Sequence, residues 1–94
     1  MAKIMMRDLK NIFNEYLKAE AICDKAEEAY AEDCENEAVE AEFDRTYKES
    51  HRILGKLTDG IVEITGGRID KRTARMMVIS QRERLENLFS RVRG

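Results

Sequence analysis

The sequence predicts an all-α fold: a three-helix antiparallel bundle (up-down-up) of long amphipathic helices that self-associates. Three observations carry this. Apolar residues recur with an unbroken 3,4 spacing in three separate stretches, there is no proline in 94 residues, and Gly66-Gly67 is the clearest break in the pattern. A 3,4 spacing keeps one stripe of a helix turned toward its neighbours. Without proline, no helix interior loses a backbone donor.

The first stripe reads Met5, Leu9, Ile12, Tyr16, Ala19, Cys23, Ala26, Tyr30 and predicts helix 1 over about residues 4–32. Met6 and Phe13 widen it on one side, Ile22 and Ala29 on the other. A stripe that broad faces at least two neighbours, as in a bundle rather than a simple coiled coil. Its second half narrows to alanines and a cysteine, so a partner backbone can approach closely there. From Glu32 to Glu42 the rhythm lapses; continuing it would bury Asp33, Glu37, Glu40 and Asp44. A turn near Asp33–Asn36 resolves this, with Asp33 or Asn36 as the next N-cap. One continuous solvated helix across the gap is the other arrangement the pattern admits.

Helix 2 is expected over about residues 37–65, with the stripe Phe43, Tyr47, Ser50, Leu54, Leu57, Ile61, Ile64. Gly60 lies inside it, at about 1 kcal/mol relative to alanine. The β-branched run Ile61–Thr65 stays helical because the stripe continues in phase through it. Gly66-Gly67 then supplies a C-terminal glycine stop. Helix 3 is expected over about residues 69–92, with Ala74, Val78, Gln81, Leu85, Leu88, Val92 as its stripe. No internal repeat or second domain is evident.

Composition narrows the function classes. With 38% charged and 43% hydrophobic residues, the chain is too apolar for disorder and has no run near the ~20 apolar residues of a membrane span. The start, MAKIMMRDLK, lacks the apolar stretch of a signal peptide, which predicts a cytoplasmic location. Cys23 and Cys34 on one helix would stand about 16 Å apart, too far for a disulfide. No CxxC or Cys/His pairing exists, so no zinc site is expected. His51 is the only histidine and has no ligand-type spacing. A bundle di-metal site would need inward glutamates with Glu-x-x-His partners. The helix 1 stripe is free of charge, so no arginine stands there to hold an anionic substrate. The chain is therefore expected to be no enzyme, with no catalytic residues, metal or cofactor.

Charge is unevenly spread. Residues 20–50 hold three bases and twelve acids, net −9, whereas residues 60–94 hold eight bases and four acids, net +4. Folded up-down-up, the acids gather at one pole. Lys3, Arg7, Lys10, Lys56, Arg68, Lys71, Arg72 and Arg75 gather at the other. Arg82 and its neighbours flank the helix 3 stripe opposite Glu20 and Glu27, an arrangement that fixes helix pairing. Arg68, Lys71, Arg72 and Arg75 differ, because they stand at a helix N-terminus, where the macrodipole disfavours cations. With Arg7 and Lys10 they form a candidate anion or nucleic-acid site. That pole lacks interleaved aromatics, which argues against base stacking.

Gln81 and Ser50 are the polar residues within the stripes. A buried amide at Gln81 beside Leu85 would fix register and oligomeric state; the competing arrangement lifts the amide to the rim. Two functional classes remain. The leading one is a small non-enzymatic helical interaction or adaptor protein, homo-oligomeric, binding an unknown protein partner. The alternative is a nucleic-acid-binding or regulatory protein that uses the basic pole.

Overall fold

The structure is a computed structural model that describes residues 4–92. Lys3, counted above in the basic pole, lies outside the described residues. Four helices follow one another: α1 Met6–Glu32, α2 Glu37–Ile64, α3 Lys71–Ser80 and α4 Arg82–Ser90. The fold is all-α, but the expected third helix is two helices, and the three-helix bundle is corrected to four.

Helix α1 opens with the Asp8 carboxylate accepting from the Met5 amide at 3.0 Å, which satisfies one of the free donors of a helix start. The chain turns at Asp33–Asn36, and the Asn36 side chain caps α2 by accepting from the Ala38 and Val39 amides. Helix α2 ends in a Schellman motif. The Gly67 amide reaches the Val62 carbonyl at 2.9 Å and the Gly66 amide the Glu63 carbonyl at 3.1 Å. Both glycines have positive φ, 63° and 84°, a region glycine enters without a Cβ penalty.

Long helices α1 and α2 form an antiparallel hairpin, and α3 rises along the lower half of α2. At Gln81 (φ −122°, ψ 38°) helical geometry lapses for one residue. The chain then turns back, so that Arg82 meets Glu20, Phe89 meets Phe13 (centroids 5.2 Å apart) and the Val92 carbonyl meets Lys10. Those contacts give the break its physical reason. A continuous helix would carry Leu85 and Phe89 up the side of α2 toward solvent, whereas the break buries both against α1.

The core therefore sits in the lower half, where four helices converge: Leu9, Phe13, Ile53, Leu57, Ile61, Ala74, Val78, Leu85 and Phe89 are all buried. Above Tyr16 and Ile53 the buried residues are small, namely Cys23, Ala26, Thr46 and Ser50. The hydroxyls of Thr46, Ser50 and Thr58 each donate to a carbonyl of the preceding turn, so their burial leaves no donor unpaired. Gly60 is also buried: a Cβ there would lie 2.9 Å from Ile4 Cδ1 and deep inside contact distance of Leu9 Cδ2. The missing side chain leaves that space to the ends of Leu9 and Ile4.

The break also fixes where the two predicted register residues stand in the monomer. Gln81 is exposed in the monomer and stands at the cap position of both short helices, in the lining of the groove between them. Leu85 is 2% exposed inside the monomer's own core, which makes it a packing residue of the subunit. Leu88, expected in the stripe, is 45% exposed, and Phe89 takes the inward place, because the break shifts the helical phase.

Candidate functional site

Helix α3 starts at Asp70, whose carboxylate accepts from the Thr73 amide at 2.7 Å. Hydrogen bonding from the Thr73 side chain, then from its amide, holds the Asp70 carboxyl below the usual range, with Arg72 adding to the effect. The first turn contains no acid; its bases are Lys71 and Arg72, with Arg75 one turn on. Of the six predicted basic residues the structure brings three into one groove. Lys71, Arg72 and Arg75 line it on the α3 side, His51, Leu54, Gly55 and Thr58 on the α2 side. Arg68 lines a separate pocket, on the Gly66-Gly67 turn with Ile64, Thr65 and Ile69.

Arg7 and Lys10 stand at the same end of the molecule but on α1, and neither lines the groove. Lys10 is engaged, its Nζ donating to the Val92 carbonyl at 2.7 Å, a favourable placement past a helix C-terminus. Lys71 has a weak partner in Asp59, 3.4 Å away and largely solvated. Among the described residues Arg7, Arg68, Arg72 and Arg75 make no ion pair.

Arg82 behaves differently. Its guanidinium holds Glu20 by two hydrogen bonds, one of 2.8 Å to Oε2, and stands 5.7 Å from the centroid of the Tyr16 ring. The Tyr16 hydroxyl donates to Glu20 at 2.9 Å. Arg82 lowers the Glu20 carboxyl from its ordinary range, while burial and the Glu20 bond push the Tyr16 phenol up to about 12. The trio staples α4 to α1. Among the described residues no cluster of histidine, cysteine and carboxylate could hold a metal.

A second surface went unread in the sequence. The strip of α2 that α3 covers at Thr58, Leu54 and His51 continues upward, by 3,4 steps, to Tyr47, Asp44, Phe43 and Glu40. Tyr30 of α1 stacks on Phe43 at 5.4 Å, Phe43 meets Tyr47 edge-on at 6.2 Å, and Tyr47 lies 4.1 Å from His51. With Glu37, Glu40 and Asp44 these rings form an open acidic–aromatic groove above the end of α3. The i,i+4 spacing of Phe43, Tyr47 and His51 is the signal in the sequence for this surface; the expected stripe takes Phe43 and Tyr47 as core and leaves His51 at its flank. A third groove separates α3 from α4. Ile69, Met77 and Leu88 contribute apolar surface to it, with Arg84 and Arg91 also in its lining.

The chain matches no protein-family model, no curated protein sequence and no solved structure. No helix among the described residues is long and apolar enough to cross a membrane.

Proposed function

We propose that the chain is a small non-enzymatic helical interaction protein that works as a homo-oligomer. One observation supports this above the others. Helices α3 and α4 reach only to the level of Glu20, leaving α1 beyond that point and α2 up to about residue 48 as a two-helix stalk. That stalk has the exposed apolar residues Ile22 and Tyr47 and an open aromatic groove along its side. Exposed apolar surface set among polar residues is the usual composition of a protein-binding face. Light scattering coupled to size exclusion tests the oligomeric part: mass should rise above the 10.9 kDa monomer with concentration. A constant monomer mass to several hundred micromolar refutes it.

A second reading, binding of nucleic-acid phosphates, is favoured by the groove bases. Among the described residues Arg72 and Arg75 make no salt bridge there, and they stand near the start of a helix whose dipole attracts anions. Fluorescence anisotropy with duplex DNA and structured RNA would then show affinity falling steeply with salt, and a slope smaller by about one in Arg72→Glu. Equal affinity in that variant refutes this reading.

A further inference from the structure

We propose that two copies pair antiparallel about a two-fold axis, the acidic–aromatic strip of α2 in one copy seated in the groove between α3 and α4 of the other. The inference rests on the self-association reading above and assigns it an interface.

Size is the first argument. The stalk leaves residues 21–32 of α1 uncovered, a length of about 18 Å at 1.5 Å per residue. Helix α3 has 10 residues and α4 has 9, or about 15 Å and 14 Å by the same rise. In the monomer this short hairpin covers the lower half of the long one; a second copy's short hairpin has the dimensions to cover the upper half.

Charge then selects this arrangement over the obvious competitor. Two stalks laid together would make a four-helix layer, but residues 20–50 carry net −9 in each copy. Stalk on stalk sets like charge against like. The outer groove of α3 and α4 has the opposite character, with Arg84 and Arg91 both exposed in its lining. Electrostatic complementarity of this kind fixes partner and orientation.

Apolar contact completes the match. Tyr47 is exposed on the acidic–aromatic strip, and Leu88 is exposed in the lining of the groove between α3 and α4. Antiparallel pairing sets Tyr47 of one copy toward Leu88 of the other twice, once at each end. The contact is isologous and closes on itself, so assembly stops at two.

Charge reversal with mixing tests this directly. One variant carries Glu40→Lys and Asp44→Lys, the other Arg84→Glu and Arg91→Glu; all four positions are exposed, and circular dichroism verifies that each variant is helical. Sedimentation velocity at about 50 mM salt should give a wild-type dimer. Each variant alone should dissociate at least about tenfold more readily. Their equimolar mixture should recover a dimer containing one of each, because both contacts in that pair are complementary again. A variant that dimerises as the wild type does, or a mixture that stays monomeric, overturns the interface and leaves self-association standing. A wild type that is monomeric throughout overturns the self-association reading itself and this interface with it.

Discussion

Two glycines in α2 separate packing from helix propensity. In a helix interior, glycine to alanine is worth about 1 kcal/mol of stability through backbone entropy alone. Gly55 should return that gain in full, since nothing lies within 4 Å of a Cβ built there. At Gly60 the same methyl would drive into Leu9 Cδ2 and stand 2.9 Å from Ile4 Cδ1. Both atoms are side-chain ends, and Leu9 is 1% exposed, so the overlap must be relieved by shifting its branch among buried neighbours. Overpacking of this type costs about 1–3 kcal/mol. Propensity cancels between the two sites, so Gly55→Ala should exceed Gly60→Ala in stability by about 1–3 kcal/mol. For a domain this size that is a difference of at least about 4 °C in Tm. Thermal and urea unfolding followed by circular dichroism read the difference. In a Leu9→Ala background the Gly60→Ala penalty should shrink, since the clashing atom is gone. Equal stabilisation by both alanines would refute the close-approach argument.

Three other outcomes follow from the side-chain contacts. Arg82 lowers the Glu20 carboxyl, so the pair's stabilisation is present above the unfolded carboxylate pKa of about 4.3 and is lost as pH falls through the lower folded value. Glu20→Gln should cost about 1 kcal/mol near neutrality for this partly solvated pair, with the difference from wild type shrinking on acidification. The Tyr16 phenol is raised to about 12, so folding favours its neutral form, and that contribution is lost as pH rises from the unfolded value of about 10 through 12. Alkaline unfolding of Tyr16→Phe should lack that component. Arg72→Glu places an acid in the first turn of α3, where the dipole favours it; urea unfolding should show a gain of about 0.3–1 kcal/mol.

The helical class and the hairpin were legible because local chemistry announced them. The rhythm fails where Asp33, Glu37 and Glu40 would have to be buried, and Asn36 and the paired glycines carry their own cap and stop. The break at Gln81 carried no such mark. It has no glycine or proline, and Gln81 falls in phase with Val78 and Leu85, so a continuous helix satisfied every local rule. What divides it is tertiary: Glu20 and Phe13 draw Arg82 and Phe89 back onto α1. On α2 the stripe positions Ser50, Leu54, Leu57 and Ile61 are buried as the spacing predicts, but in the upper part the inward place shifts by one, from Tyr47 to Thr46. Between two closely packed helices the small residues Thr46 and Ser50 go inside, and the rings of Phe43 and Tyr47 move to the edge. Of the predicted basic cluster, the α3 portion was readable from its run of bases. That Lys10 is spent on Val92 could be seen only once α4 had turned back.

The unequal coverage of the long hairpin also divides each long helix into two dynamic regimes. Amides near Phe13 and Leu57 lie under four converging helices, and their exchange with solvent requires opening of the whole core. Amides near Ala26 and Phe43 are secured by one neighbouring helix and a seam of small side chains, so they can open without disturbing the base. Hydrogen exchange should therefore fall stepwise along α1 and α2 from tip to base, with the change near Glu20. A continuous helix would act as a rigid root and a breathing tip, and a molecule seated on the tip would register as slowed exchange there while the root stayed as it was.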